Sequence, residues 1–373
     1  MKIRTIASLA FSSVTLVASA ASTQCGGDKP NVQAAPGPLP TVAAASTAKP
    51  AESATLFVSE TDAGGAADAA PATTPEPQYT VLKKGLKATS ALAADGFNVY
   101  WVEDAEGGVT RMSKKGGAMM MFYSNPSGGF EKPSALVVDD VSVYWTQHVK
   151  GAGGAVLGSV MMASKDGGAP TVLAQNIREE LRSLALDAKS VYWLAGAALM
   201  HSPKAGGGAT PLAMKLDLPT SVASDGKHVY WTSGAGTVMR MLPTPGSKPE
   251  TIAKDQEKPD NVFVDDANIF WTAGNKVITT TKAAPMMKTL ATSDGVVSDF
   301  AIDATHVYWV GLNASGDGVV MRAPKDGAAP AEKLASGQAS PAGISVDKYA
   351  IYWSTRGTEA GKYRDGTLVT LAK

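Results

Sequence analysis

One seven-residue pattern recurs seven times along this chain of 373 residues: Asp, three variable residues, an aliphatic, an aromatic and Trp. The copies run from Asp95 to Trp101, Asp139 to Trp145, Asp187 to Trp193 and Asp225 to Trp231. Three more run from Asp265 to Trp271, Asp303 to Trp309 and Asp347 to Trp353. They hold all seven tryptophans, and successive Trp positions differ by 44, 48, 38, 40, 38 and 44 residues. A fixed period of this length means that each copy is one supersecondary unit stacked against its neighbours. The chain is thereby confined to a repeat architecture.

Within a unit the residues read as four short strands. Ala135 to Val138 is strand a, ending at Asp139; Val143 to Thr146 is strand b. Val160 to Ala163 is strand c, and a Lys-Asp-Gly-Gly turn at 165–168 leads to strand d, Thr171 to Ala174. Asp-Gly and Gly-Gly pairs between β-branched runs are hairpin signals. No window keeps the 3.6-residue period that a helical solenoid needs. Four strands per unit of about 40 residues predict an all-β propeller.

The ends of the repeat region set the blade number. Tyr79 to Leu82 precedes the first strand a and reads as a strand d, while Gly366 to Leu371 follows the last Trp and reads as a strand c. Pairing the N-terminal outer strand with the C-terminal blade completes a seventh four-stranded blade and removes an open sheet edge.

Val143 to Thr146, Val229 to Thr232 and Ile269 to Thr272 resemble the YWTD repeats of lipoprotein-receptor propellers, where the motif lies on the second strand of each blade. The resemblance spans residues 79–373 and implies a protein-binding role. The chain departs from that family in expecting seven blades rather than six, and in following Thr with Gln147, Ser233 and Ala273 rather than Asp. In architecture alone, the expected ring is also similar to seven-bladed lyases of the virginiamycin-lyase type.

A residue present in every unit builds the unit. Trp101, Trp145, Trp193, Trp231, Trp271, Trp309 and Trp353 are expected in the blade cores. Asp95, Asp139, Asp187, Asp225, Asp265, Asp303 and Asp347 are expected to accept turn N–H groups rather than to form a metal ring. Lys114, Lys165, Lys204 and Lys325 precede Gly-rich turns and read as solvated turn charges.

Composition narrows the function. The 34 basic and 34 acidic residues cancel without a basic block, so the clustered charge that nucleic acid demands is missing. The single cysteine, Cys25, excludes a disulfide framework and multi-cysteine metal sites. No nucleotide-binding or hydrolase motif occurs in context, and no metal or cofactor is expected.

Met1 to Arg4 is a short basic segment, followed by an uncharged, mildly apolar stretch to about residue 21, the layout of a secretory leader. Two processing routes stand open: cleavage near Ala20, or lipidation of Cys25 within a leader over residues 1–25 that resembles those of bacterial lipoproteins. Gln24 occupies a position where a small residue is usual in such leaders. Residues 26–78 are rich in Ala, Pro and Thr and predict a disordered tether about 40 Å from end to end. An envelope location is expected, lipid-anchored or periplasmic, with a secreted protein as the alternative.

Function is expected where the repeat varies. The a–b and c–d connections are short and fall on one face of the ring; the b–c and d–a connections fall on the other and differ in length. Candidate ligand-binding residues on that variable face are Glu103, Asp104, Gln147, His148, Arg178, Arg356 and Arg364. Arg182, Asp260 and Asp299 start strand a and are expected to ring the mouth of the central channel. The sequence predicts a monomeric, non-enzymatic module binding a protein or glycan, touching a membrane only through a lipid anchor. The alternative is a propeller lyase or hydrolase acting at the channel mouth.

Overall fold

The computed structural model describes residues 76–103, 108–124, 130–131, 135–150 and 156–373. The leader, Cys25, nearly all of the expected tether and Asp104 lie outside these residues.

The chain enters through β1 (Thr80–Leu86) and then builds blade 1 from β2 (Thr89–Ala94), β3 (Asn98–Glu103), β4 (Gly108–Ser113) and β5 (Met120–Ser124). Blade 2 contains β6 (Phe130–Glu131), β7 (Leu136–Val138), β8 (Ser142–Lys150), β9 (Val156–Ser164) and β10 (Thr171–Ile177). Blade 3 is β11 (Leu181–Leu186), β12 (Ser190–Ala195), β13 (Ala198–Pro203) and β14 (Thr210–Met214). Blade 4 is β15 (Pro219–Ser224), β16 (Val229–Ser233), β17 (Thr237–Met241) and β18 (Glu250–Ala253). Blade 5 is β19 (Pro259–Val264), β20 (Asn268–Ala273), β21 (Lys276–Thr281) and β22 (Lys288–Thr292). Blade 6 is β23 (Val296–Ile302), β24 (His306–Leu312), β25 (Gly318–Pro324) and β26 (Glu332–Gln338). Blade 7 joins β27 (Pro341–Val346), β28 (Ala350–Thr355) and β29 (Gly366–Ala372) to β1.

The architecture is therefore the expected all-β, seven-bladed propeller. Closure comes from β1 running antiparallel to β29, with Thr80 opposite Thr370 and Leu86 opposite Gly366. This join satisfies the backbone groups that β29 would otherwise expose along one side. One expected loop is ordered differently: residues 147–150 and 156–157 extend the β8–β9 hairpin, with Gln147 opposite Ser159 and Lys150 opposite Val156.

The core forms where blade faces stack. Each Trp lies on a second strand, and all seven are at most 2% exposed. Trp145 and Trp193 share one apolar cluster with Leu136, Val160, Leu181 and Leu184, drawn from blades 2 and 3. Burying an aromatic side chain of this size removes about 150–250 Å² from water, so the Trp positions dominate the apolar contribution of each blade.

The repeated Asp fixes the a–b turn. In blade 2, Asp139 Oδ1 accepts the N–H groups of Val141 (2.9 Å) and Ser142 (2.8 Å), and Oδ2 accepts the Tyr144 hydroxyl at 2.9 Å. Blades 1, 3, 4 and 6 repeat this arrangement of two N–H groups and a tyrosine hydroxyl. The lysines are not solvated turn charges. Lys165 pairs with Asp95 and Lys204 with Asp139, each at 2.7 Å, and Lys282 pairs with Asp225 at 2.6 Å. Lys325 pairs with Asp265, Lys373 with Asp303 and Lys114 with Asp347. In every case the lysine belongs to the blade after the Asp, and its side chain is only 11–17% exposed. Its alkyl stem lies in the blade interface and its ammonium closes it. Burial pushes each of these six carboxyls up, but the lysine and the turn donors outweigh it and hold each below its ordinary value.

Candidate functional site

A register shift near the start of the first strand recurs in blades 1, 3, 4, 5, 6 and 7. In β11, Arg182 lies opposite Leu194 and Leu184 opposite Trp193, leaving Ser183 as the extra residue. In β19, Asp260 lies opposite Thr272 and Val262 opposite Trp271, leaving Asn261 as the extra residue. Ser183 and Asn261 adopt left-handed backbone (φ 45° and 42°). Backbone strain of this kind costs about 1–3 kcal/mol and clusters at functional sites. The two blades with a charged residue at this position share the same strained bulge.

In β23 the shift falls one residue earlier: Val297 lies opposite Gly311 and Asp299 opposite Val310, so Ser298 is the extra residue. Asp299 therefore does not occupy the Arg182 position, which Ser298 holds. It aligns with Ser183 and Ser221, whose hydroxyls accept the next blade's Val222 and Val262 N–H groups at 3.0 and 3.1 Å. Asp299 does the same work: Oδ2 accepts Ile344 N–H of blade 7 at 3.0 Å, and Oδ1 accepts Phe300 N–H at 2.9 Å. It is fully buried. Burial pushes its carboxyl well above the ordinary value against these two donors, and the charge of Asp260 pushes it the same way.

Asp260 is half-buried. Burial raises its carboxyl to about 6, against the Asn261 N–H at 2.8 Å and the positive charge of Arg182. Arg182 also pairs with Glu180 at 2.7 Å. The structure thus brings Arg182 and Asp260 into electrostatic reach of one another.

The remaining candidates divide in two. Glu103 is 7% exposed, and its carboxylate accepts Trp101 Nε1 (2.9 Å) and Lys87 N–H (3.0 Å). Gln147 is 6% exposed and accepts Trp145 Nε1 at 3.1 Å. Both serve the core rather than facing solvent. His148 Nε2 accepts the Leu181 N–H at 3.5 Å, tying blade 2 to the start of blade 3. Arg178 and Arg364 are exposed and Arg356 is half-buried. Arg356 and Arg364 lie on the long b–c connection of blade 7, whose Tyr363 carbonyl accepts Ala88 N–H of the turn leading into blade 1.

Sequence reasoning missed Gln256 and Gln338, which accept Trp271 Nε1 (3.1 Å) and Trp353 Nε1 (2.8 Å). The available signal was a Gln shortly before strand a of the same blade. It also missed a groove of about 900 Å³ between the outer parts of blades 5 and 6, lined by Thr292, Asn313, Asp317, Lys333 and Ser336. None of the predicted residues lines it. Among the described residues, no three His, Cys, Asp or Glu side chains gather as a metal site requires, and no helix is long and apolar enough to cross a membrane.

No family model and no curated protein matches the sequence. Solved structures do match the fold. A streptogramin B lyase aligns with a TM-score of 0.60 at 12% identity, covering 79% of this chain and 97% of the lyase. Virginiamycin B lyase from Staphylococcus aureus aligns with a TM-score of 0.62 at 12% identity, covering 79% and 98%. The extracellular domain assigned to a hybrid two-component system of B. thetaiotaomicron aligns at 0.53 and 11% identity, covering 78% of this chain and 39% of that one. At such identities the likeness is one of fold.

Proposed function

We propose that the chain is an exported, envelope-anchored, non-enzymatic binding module that holds a protein or glycan ligand at the face carrying the b–c and d–a connections. The observation that carries this reading is the pair formed by Arg182 and Asp260, each set beside a strained bulge, with Asp260 held in a setting that penalises its charge. Structure alone gains nothing from an acid kept there, whereas a ligand with a hydrogen-bond donor or cation would. Arg178, Arg356 and Arg364 add polar contacts around the mouth, as loops on a rigid scaffold commonly do. The YWTD-like motifs and the leader over residues 1–25 support the binding role and the export.

The test compares the full chain with an Arg182→Ala/Asp260→Asn variant for capture of envelope proteins and glycans. The reading expects a ligand held by the wild type and lost by the variant. A ligand held equally by both places its site elsewhere. Mass spectrometry of the mature N-terminus tests the anchor: a lipid-bearing Cys25 is expected, and an unmodified terminus at Ala21 or Ser22 overturns it.

A second reading, a lyase or hydrolase at the channel mouth, draws on the same Asp260. A carboxyl that titrates near pH 6 can exchange a proton with a bound substrate near neutrality. It would be separated from the first by turnover that Asp260→Asn abolishes while binding persists.

A further inference from the structure

On the opposite face, six of the seven blade junctions carry the same small site: a lysine ammonium on a carboxylate and above an aromatic ring. Lys204 lies 2.7 Å from Asp139 and 5.4 Å from the Tyr144 ring centre; Lys282 lies 2.6 Å from Asp225 and 5.6 Å from Tyr230. Lys165 lies 2.7 Å from Asp95 and 5.8 Å from Tyr100. Lys114, Lys325 and Lys373 lie 4.8, 4.9 and 5.2 Å from Tyr352, Phe270 and Tyr308, above Asp347, Asp265 and Asp303. Carboxylate and ring face together make a favourable ammonium site.

At the junction of blades 3 and 4 the lysine is missing. It stands four residues after the strand c residue opposite each Trp; in blade 3, Trp193 faces Met200 and the lysine is Lys204. In blade 4, Trp231 faces Met239, which puts Pro243 at that place. The rest of the site is intact. Asp187 accepts the N–H groups of Lys189 and Ser190 at 2.7 Å each and the Tyr192 hydroxyl at 2.5 Å, and no cation pairs with it among the described residues. His201 stacks on Tyr192 at 6.2 Å and bonds Thr210 at 2.7 Å; burial lowers its pKa, against the charge of Asp187, which raises it. Across the junction stands Gly226, where an added Cβ would lie 3.9 Å from the Asp187 Cβ.

We propose that this junction binds a primary ammonium on a flexible alkyl stem from outside the chain, in the place that lysine fills at the other six junctions. The ammonium comes from a lysine side chain of a peptide or from a free alkylamine. The site lies away from Arg182 and Asp260, so its test is independent of the function proposed above.

The full chain, labelled with ¹³C in its histidine rings, is titrated with Nα-acetyl-lysine methylamide, n-butylamine and the uncharged norleucine analogue. Both amines are expected to shift the His201 resonances saturably, with Kd on the order of millimolar; the norleucine analogue is expected to leave them in place. Binding is expected to weaken at least about tenfold in Asp187→Asn. Pro243→Lys keeps Asp187 and supplies the internal lysine, and it is expected to weaken binding by as much. Tighter binding of the lysine derivative than of butylamine assigns the site to a peptide side chain, and equal binding assigns it to free amines. Absence of a saturable shift in the wild type, or binding undiminished in folded Pro243→Lys, overturns the proposal.

Discussion

Lys204 of blade 3 reaches back to Asp139 of blade 2 and holds its carboxylate at 2.7 Å, although the two residues stand 65 positions apart. The contact spans a blade interface, is only 17% and 22% exposed at its two side chains, and recurs around the ring. It acts as a latch between blades 2 and 3, whose strands lie in separate sheets. Lys204→Met is expected to cost about 1–3 kcal/mol, because it leaves a half-buried carboxylate without its cation. Urea unfolding measures the loss, and a double-mutant cycle with Asp139→Asn isolates the pair. A coupling within error of zero would reduce the latch to a surface pair.

The pH profile should have two limbs of opposite sign. The six latched carboxyls titrate below their unfolded values, so their contribution is present above about pH 4 and lost as pH falls further. Asp260 is raised to about 6, so the folded chain holds its proton more tightly than the unfolded chain. Stability therefore falls as pH rises from about 4 through 6 on its account. Asp299 is raised as well and adds to the same limb, so Asp260→Asn is expected to make it shallower and to stabilise the protein at pH 7 by about 1–3 kcal/mol. Thermal melts across pH 4–8 check it; an unchanged profile contradicts the burial of Asp260.

Two tryptophans make a paired test of the core. Trp101 gives its indole N–H to Glu103, whereas Trp193 Nε1 has no hydrogen-bond partner among the described residues. Trp101→Phe leaves the buried Glu103 carboxylate with the Lys87 N–H but without its indole donor and should cost about 1–3 kcal/mol more than Trp193→Phe. Trp193→Ala should cost about 3–5 kcal/mol through the cavity it leaves.

Glu103→Ala is expected to destabilise by about 1–3 kcal/mol, since Trp101 Nε1 and the Lys87 N–H lose their acceptor. Ligand capture by the surviving folded fraction should match the wild type. A variant with normal Tm and lost binding would return Glu103 to the ligand site.

The repeat made the fold legible because a buried Trp must recur wherever a blade core recurs, and because Tyr79 to Leu82 is a lone strand while the unit ending in Gly366 to Leu371 is one strand short of a blade. The site was legible only in part. Arg182 and Asp260 stood out as charges at the start of strand a, but Asp299 looked equivalent and is not. Arg182 and Asp260 stand 11 residues before their Trp and Asp299 only 10, which puts Asp299 at the place of Ser183 and Ser221, whose side chains accept an N–H of the next blade whether the bulge falls on that residue or the one before it. Glu103 and Gln147 looked like loop polar groups because nothing in their spacing tells which indole they face. The lysine latches were hidden for a related reason: a period reveals that Lys204 recurs, not that it points into the preceding blade.

The pairing of Thr80 with Thr370 gives the chain an order of events. Blades 1 to 6 are each made of consecutive strands, and each can pair its own hairpins as soon as it is synthesised. Blade 7 cannot, because one of its four strands is made at the start and the other three at the end. Ring closure must wait for β29 and must bring together segments separated by nearly the whole propeller, the slowest kind of contact to form. Until then the chain is an open arc, and one stopped short of β29 has six blades, lacks the Leu368, Val369 and Leu371 that complete the core of the seventh, and has no ring.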